Sequence, residues 1–295
     1  MLRRALLAAT PTSAARAVAG RFVAGETIAD AVTAVGKLRD AGLLATLDYL
    51  GDGVADGLHA AANATQYIHL LDDLAAEGLT DGGAAEVSVT PTAVGLLRNR
   101  QTATGNIERI AAAAERHGTT VTLAAEDHRT ADDTLRIAAE LRKSRPAVGS
   151  VVQAALRRTE TDVRDLAAVA GARVRLVKGA YAEPLSEAFT ERHDVDKAFA
   201  RCLRVLMNGP AYPMIATHDP RLIDITRALG LEREPGSFEY QMLYGVREDL
   251  ARRLASEGAR VRISVPYGPG WQAYLRWLVE QRPVSVASAV RTIVR

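Results

Sequence analysis

The sequence predicts an α/β protein built as a single distorted (βα)8 barrel of the TIM type with an N-terminal helical extension. β-forming segments alternate with helical segments at intervals of ~30 residues, which is typical of a parallel barrel. No GxGxxG follows an early strand, so a doubly wound dinucleotide-binding sheet lacks its fingerprint. No linker, low-complexity tract or repeat beyond the βα unit divides the chain, and we therefore treat residues 1–295 as one domain.

The predicted elements follow one another in a regular order. Residues 1–40 are predicted to be helical, with Gly25 as an interruption and Thr27 as the N-cap of a helix that ends at Arg39. The predicted strands cover residues 43–49, 85–89, 119–124, 150–153, 173–177, 213–216, 238–242 and 260–265. The predicted helices between and after them cover residues 54–77, 106–116, 131–143, 161–170, 195–207, 221–229, 247–257 and 271–281.

Composition narrows the function classes. The 295 residues carry a net charge of +2, which is too small to indicate binding to nucleic acid or to an anionic membrane surface. No apolar run has the length of a membrane span, so peripheral membrane contact is the most we expect. The single cysteine, Cys202, lies in a predicted helix and is expected to be a buried small hydrophobe. Because there is no disulfide framework and no metal-ligand spacing, the sequence predicts a cytoplasmic protein without a metal site.

The fifth predicted strand carries the strongest local signal for a functional site. Its β-forming run ends at Gly179, where the backbone can approach a ligand closely. Arg175 and Val177 share one face of the strand, whereas Leu176 and Lys178 share the other. This local pattern alone fits a buried barrel strand with a basic rim equally well.

Other strand ends carry polar residues that have more than one interpretation. Glu126, Asp127 and His128 suggest an acid–base or metal cluster, but adjacent strand residues point to opposite faces, so a capped loop is predicted. Residues 217–220 (THDP) predict a phosphate-binding turn, a helix cap, or both. The sequence contains no nucleophile elbow, P-loop or HExxH motif.

Four of these strand ends together resemble the flavin-binding proline dehydrogenases. They are residues 175–181 (RLVKGAY), 216–218 (ATH), 238–245 (FEYQMLYG) and 265–268 (VPYG). Their order and spacing agree with the family, and the resemblance extends over residues 22–283. It implies a distorted barrel that binds FAD at the strand ends and oxidises proline to pyrroline-5-carboxylate. A quinone or oxygen is then the expected electron acceptor.

The resemblance also implies roles for individual residues. Arg175 would face the flavin ring near its reactive nitrogen, where a cation favours the negative charge that the ring gains on reduction. Gln153 would contact the polar edge of the ring, and Thr217 and His218 would hold the ribityl–pyrophosphate region. The remaining expected cofactor contacts are Val177, Lys178, Gly179, Ala180 and Gln241.

The substrate side departs from the family pattern. The last helix aligns with that of the family without a gap, because Trp271 and residues 282–283 match at its two ends. This alignment places Tyr274 at the position of the family's tyrosine. Trp277 and Leu278 then occupy the positions of an Arg-Arg pair that binds the carboxylate of proline. Arg276 lies one residue early, which turns it by about 100° around the helix. The family's lysine, aspartate and tyrosine at three strand ends are replaced by Thr90, Ala124 and Ser264.

The family's cofactor-binding residues are retained while its polar substrate-binding residues are replaced. The sequence therefore predicts a pocket adapted to a different substrate. The expected catalytic residues are Arg175, Tyr181 and Tyr274. The expected pocket residues are Thr90, Ala124, Tyr181, Leu243, Ser264, Tyr274, Trp277 and Leu278. The predicted function is removal of a hydride, by FAD, from a carbon or nitrogen next to an amine nitrogen of a small cyclic or carboxylate-lacking substrate. A genuine L-proline dehydrogenase and a non-catalytic flavin-binding relative remain as alternatives.

Overall fold

Eight parallel strands form a closed barrel in which each strand pairs with its sequence neighbours and β8 pairs with β1. The computed structural model describes residues 16, 18–51, 54 and 56–281. In this part the strands are β1 (Leu44–Tyr49), β2 (Ala85–Val89), β3 (Val121–Leu123), β4 (Val148–Gln153), β5 (Arg173–Val177), β6 (Tyr212–Ala216), β7 (Glu239–Leu243) and β8 (Val261–Tyr267). The helices are α1 (Ile28–Asp40), α2 (Gly57–Ala76), α3 (Arg100–Arg116), α4 (His128–Arg142), α5 (Thr159–Ala167), α6 (Arg192–Asn208), α7 (Pro220–Gly230), α8 (Glu248–Ser256) and α9 (Trp271–Gln281).

The outer faces of the strands pack against the helices, which confirms the predicted (βα)8 barrel. Leu176 of β5 and Ile215 of β6 are fully buried against Phe199 and Leu203 of α6. Cys202 belongs to the same apolar cluster and is 1% exposed, so it is a buried small hydrophobe as predicted. Alternation along each strand then directs every second residue into the barrel interior.

Several helices begin earlier than predicted because a polar side chain caps them. α3 begins at Arg100 instead of residue 106, since the Asn99 side chain accepts hydrogen bonds from the N–H groups of Gln101 (2.7 Å) and Thr102 (3.3 Å). α4 begins at His128 because Asp127 caps it. Caps of this kind satisfy backbone donors that the first helical turn leaves open, and they move the helix boundary outward.

The segment before α1 corrects the prediction that residues 1–40 are helical apart from an interruption at Gly25. Residues 20–27 form turns and bends, and α1 begins after Thr27. Thr27 and Asp30 form a reciprocal capping box at this start, as the predicted Thr27 cap requires. α1 ends at Asp40, one residue beyond the predicted Arg39. The predictions for residues 1–15 and 282–283 lie outside the described residues.

A network of buried charges fills the barrel toward the amino ends of the strands. Arg262 is 1% exposed and its Nε donates to Glu239 Oε1 at 2.7 Å. Arg173 Nη2 donates to Glu86 Oε2 at 2.8 Å, and Arg175 Nη2 lies 3.6 Å from Glu86 Oε1. Burial opposes ionisation of Glu86, but the surrounding guanidinium groups outweigh it and lower its pKa. The interior is therefore a packed, charged core that closes the barrel below its carboxyl end.

Candidate active site

The strands leave an opening at their carboxyl ends, where (βα)8 barrels carry their active sites. Strand centres are buried, whereas the inward-facing residues around this end are half-buried on every strand except β4, where Gln153 is buried. We call this opening the barrel mouth. Its border consists of Asp48, Thr90, Ala124, Val177, Ala216, Leu243 and Ser264.

A separate cleft of about 520 Å³ lies between α1 and α2, toward the opposite end of the barrel. Its charged lining residues are Arg39, Asp73 and Glu77, and all three are exposed. Exposed charges of this kind are solvated and interact weakly with one another. The barrel mouth, which lies directly above buried charges, is therefore the candidate active site.

Arg175 provides a fixed cation immediately below the barrel mouth. It points into the barrel as predicted and is 7% exposed. Its Nη1 donates to Ser88 Oγ and its Nη2 to Thr46 Oγ1, both at 3.2 Å. Burial lowers the pKa of Arg175 while Glu86 and Asp48 oppose that effect, and an arginine stays charged under such conditions. The site thus holds a preorganised positive charge.

Gly179 and Gln153 shape the side of the barrel mouth beyond β5. Gly179 has a φ of +109°, a region that favours glycine. A Cβ at this position would lie 3.1 Å from Ala155 Cβ and 3.5 Å from Gln153 Oε1. Gln153 is 4% exposed and its Nε2 donates to the carbonyl oxygen of Glu126 at 2.6 Å. Gly179 therefore exposes backbone without a side chain, and a flat ligand can approach it closely. Ala180 beside it is half-buried.

Lys178 lies on the outer face of β5 and is held by two carboxylates. Its Nζ forms ion pairs with Asp196 of α6 and with Asp219 Oδ2, the latter at 3.2 Å. Hydrogen bonds from Arg221 and then from Lys178 hold the pKa of Asp219 well below its usual range. The structure therefore anchors Lys178 beside the start of α7, apart from the inward-facing Arg175.

Residues 217–219 connect the end of β6 to α7. Thr217 Oγ1 accepts a hydrogen bond from the Asp219 N–H at 3.1 Å, and Asp219 in turn caps α7 by accepting from the Arg221 N–H at 3.1 Å. The predicted helix cap is thus confirmed. His218 Nε2 accepts from the Leu243 N–H at 3.1 Å, which assigns the proton of a neutral ring to Nδ1.

Gln241 does not reach the barrel mouth. It is 2% exposed, and its Nε2 donates to Glu239 Oε1 at 2.7 Å within the buried charge network. The family resemblance made it an expected cofactor contact, and it lies on the inner face of β7. The hydrogen bond to Glu239 holds the Gln241 side chain in the barrel interior, and no local sequence pattern indicates that bond.

α9 packs beside the barrel mouth and carries the predicted substrate-side residues. Tyr274 and Trp277 are half-buried, with ring centroids 5.5 Å apart. They pack, together with Leu243 from the end of β7, against an apolar cluster that includes Leu278. Leu278 has no exposed surface, so it packs the helix onto the barrel. Arg276 is exposed on another face of α9.

Glu126, Asp127 and His128 do not converge, which confirms the predicted capped loop. Glu126 accepts from the Thr92 N–H at 3.0 Å, Asp127 caps α4, and His128 Nδ1 lies 2.5 Å from Glu183 Oε2. No group of three or more His, Cys, Asp or Glu side chains within the described ranges is arranged to hold a metal ion. Tyr181, on the same loop as Glu183, is 46% exposed.

Asp48 is a strand-end residue to which the sequence analysis assigned no role in the site. It lies at the end of β1 on the inner face, and its Oδ2 accepts from Ser264 Oγ of β8 at 2.7 Å. Burial raises the pKa of Asp48, although Arg175 and the hydroxyls of Ser264 and Ser88 oppose that effect. An ionisable residue at an inward position of the strand LATLDY was the available signal.

Comparison with known proteins identifies the family. A family model described as proline dehydrogenase matches residues 31–280. Proline dehydrogenase 1 of Bacillus subtilis is 34% identical over 279 residues, which is 94% of this chain and 91% of that protein. The chain belongs to the proline dehydrogenase family. The proline dehydrogenase of Deinococcus radiodurans is also 34% identical, over 285 residues covering 94% of this chain and 90% of its own.

The barrel of this proline dehydrogenase family member is shared with larger proteins. The crystal structure of proline utilization A from Bdellovibrio bacteriovorus, inactivated by N-propargylglycine, matches with a TM-score of 0.82 and 23% identity. The match covers 92% of this chain and 35% of that one, so this chain spans about a third of that protein. At this identity the likeness supports the fold.

These comparisons confirm the family resemblance read from the four strand-end motifs. The roles that the resemblance implies for individual cofactor and pocket residues remain predictions. Among the described residues, none of the helices of this family member combines the length and apolar character needed to cross a bilayer.

Proposed function

We propose that this member of the proline dehydrogenase family is an FAD-dependent oxidoreductase that oxidises a C–N bond of a small amine at the barrel mouth. The observation that carries the proposal is the buried cation of Arg175, fixed below the mouth by Ser88 and Thr46. When bound, FAD would accept a hydride from the carbon next to the substrate nitrogen. Arg175 would then stabilise the negative charge that develops, without reorganising.

The described residues fit a flavin in two further respects. Gly179 presents bare backbone with a positive φ beside Gln153, which gives a flat ring close access. Thr217 and His218 are also next to Asp219, which caps α7 and holds the cations of Lys178 and Arg221 there, and such cations favour a phosphate. These features support assigning Gln153, Arg175, Val177, Gly179, Ala180, Thr217 and His218 to the cofactor site.

L-proline is the substrate that the comparisons favour. The relatives most similar over their whole length carry the name proline dehydrogenase. The comparisons therefore support the alternative of a genuine L-proline dehydrogenase better than the main prediction of a different amine. A quinone or oxygen as electron acceptor is part of the same proposal.

An amine without a free carboxylate is the second candidate, and α9 is the observation that favours it. Half-buried Trp277 forms an apolar surface there, Leu278 beneath it is fully buried in the helix packing, and the neighbouring Arg276 is exposed on another face. A carboxylate placed against such a surface would lose hydration without gaining a charged partner. Thr90, Ala124 and Ser264 at the mouth are also uncharged.

Arg175→Ala should keep FAD bound but make it harder to reduce. Loss of roughly 1–4 kcal/mol of attraction between the guanidinium and the reduced ring corresponds to a fall of roughly 20–90 mV in the two-electron potential. Spectroelectrochemical titration of the purified wild-type and variant proteins measures this difference. An unchanged or higher potential would show that Arg175 does not face the ring, and a colourless wild-type protein that takes up no added FAD would contradict the proposed function itself.

A further inference from the structure

Asp48 is a carboxylate that is partly withdrawn from water but still borders the barrel mouth. It lies deep enough for burial to raise its pKa, yet its side chain is only half-buried because it borders the barrel mouth. The other residues of that border are Thr90, Ala124, Val177, Ala216, Leu243 and Ser264, none of which carries a charge. Asp48 is therefore the ionisable side chain that this border offers to a ligand.

Among the described residues, serine hydroxyls are the hydrogen-bond donors that reach the Asp48 carboxylate. Ser264 Oγ donates to Oδ2 at 2.7 Å, and the Ser88 hydroxyl also favours the charged form. A carboxylate can accept about four hydrogen bonds in total. The guanidinium of Arg175 donates to Ser88 and Thr46 and has Glu86 as its nearest carboxylate, at 3.6 Å.

We propose that Asp48 is a specificity-determining residue that binds the N–H group of a cationic amine substrate and accepts its proton. In this step one N–H bond of the ammonium breaks, an O–H bond forms on the Asp48 carboxylate, and the electron pair stays on nitrogen as a lone pair. The lone pair then stabilises the positive charge left on the neighbouring carbon when a hydride departs. The inference rests on the proposed function, because it gives the substrate of the same site a required positive charge.

The surroundings of Asp48 are consistent with a base of this kind. Arg175 is the nearby cation, and Glu86 below it is the nearby anion that raises the pKa of Asp48. Tyr67 of α2 and Tyr181 of the loop after β5 are the other titratable side chains whose charge interacts with Asp48. A carboxylate with a raised pKa takes up a proton more readily than an ordinary aspartate does.

A purely structural role of Asp48 predicts a different dependence of stability on pH from the proposed ligand-binding role. If Asp48 served only to join β1 to β8 through Ser264, its replacement should destabilise the fold at every pH. If Asp48 instead serves to bind the ligand, its partly buried charge lowers the free energy of unfolding. A carboxyl whose pKa is raised by folding lowers the stability once the pH exceeds its unfolded pKa, so Asp48→Asn should gain stability relative to the wild type as the pH rises.

The experiment uses the FAD-loaded wild type, Asp48→Asn, and Glu126→Gln as the matched control. Burial also raises the pKa of Glu126, but its carboxylate accepts hydrogen bonds from the N–H and the hydroxyl of Thr92. Pyrrolidine, a cation at neutral pH, is titrated anaerobically into each protein while the flavin absorbance is recorded. Tetrahydrofuran, which has a similar ring without an N–H group, serves as the neutral probe. Urea unfolding at pH 4, near the unfolded pKa of an aspartate of about 3.9, and at pH 8 gives the stabilities.

Asp48→Asn is expected to retain FAD and to bind pyrrolidine at least tenfold more weakly than the wild type, as loss of a charge-assisted hydrogen bond implies. It should also be more stable relative to the wild type at pH 8 than at pH 4, and Glu126→Gln should bind pyrrolidine like the wild type. Equal pyrrolidine binding by wild type and Asp48→Asn, tetrahydrofuran binding as tight as pyrrolidine, or no pyrrolidine binding by the wild type would overturn the inference. The proposed function fails separately, if the wild type holds no FAD or no amine alters the flavin.

Discussion

If the second candidate substrate, an amine without a free carboxylate, is the right one, free L-proline is expected to be oxidised with a kcat/KM about 100-fold or more below that of a family member that has the Arg-Arg pair. Two charge-assisted hydrogen bonds to a carboxylate contribute ~1.5–3 kcal/mol each. With Trp277 and Leu278 at those positions, ~3–6 kcal/mol is lost, and the apolar surface adds a desolvation cost. Because ~1.4 kcal/mol corresponds to a tenfold change, the lower limit of this range already reaches about 100-fold.

Steady-state kinetics with L-proline and with proline methyl ester or amide measures this difference. The masked substrates should be turned over at least as efficiently as free L-proline, since they present no carboxylate to the apolar surface. Arg276→Ala is the control, because Arg276 is exposed and one position from the expected pair. We expect this variant to stay within about twofold of the wild type, since exposed charges contribute little. Efficient turnover of free L-proline that is lost in Arg276→Ala would show that this arginine binds the carboxylate.

Glu239→Gln should lower the free energy of unfolding by about 3–5 kcal/mol at pH 7, as expected when one partner of a buried ion pair is removed. Glu239 has no exposed surface and accepts hydrogen bonds from Arg262 at 2.7 and 3.1 Å. It also accepts from Tyr212 Oη at 3.1 Å and from Gln241 Nε2 at 2.7 Å. Removing its charge leaves the buried guanidinium of Arg262 with a neutral amide in place of its closest anion.

Urea unfolding of Glu239→Gln beside Glu257→Gln tests this prediction. Glu257 pairs with Arg227 on the surface, where the two side chains are 45% and 49% exposed, so its loss should cost less than about 1 kcal/mol. Burial opposes ionisation of Glu239, but Arg262 and Arg173 lower its pKa. Its stabilising effect is therefore present above the unfolded pKa of about 4.3 and is lost as the pH falls below it. Equal losses in the two variants would contradict the role of the buried network.

The fold was predictable from sequence because each βα unit carries its own signals. The β-forming run of β5 and the period-two alternation put Arg175 and Leu176 on opposite faces, and the family resemblance turned Arg175 toward the site, as the structure has it. Helix starts were less accurate where capping depended on a residue such as Asn99, which the hydrophobic pattern does not mark.

Parts of the candidate site were not predictable because they depend on contacts between distant strands. The Ser264 to Asp48 hydrogen bond joins residues 216 positions apart, and Arg173 meets Glu86 across 87 positions. Such pairs require the barrel register, which no single strand specifies. The same applies to Gln241, which the family resemblance made an expected cofactor contact, while its bond to Glu239 was not predictable.

Anaerobic addition of amines to the purified protein tests the central claim most directly. The protein should carry non-covalent FAD, and at least one small secondary amine among L-proline, its methyl ester and amide, and pyrrolidine should bleach the flavin absorbance in a saturable manner. The fixed cation of Arg175 below the barrel mouth is the reason to expect this reduction. A protein that binds FAD but whose absorbance is unchanged by every one of these amines would be a non-catalytic flavin-binding relative, and the proposed oxidoreductase function would be wrong.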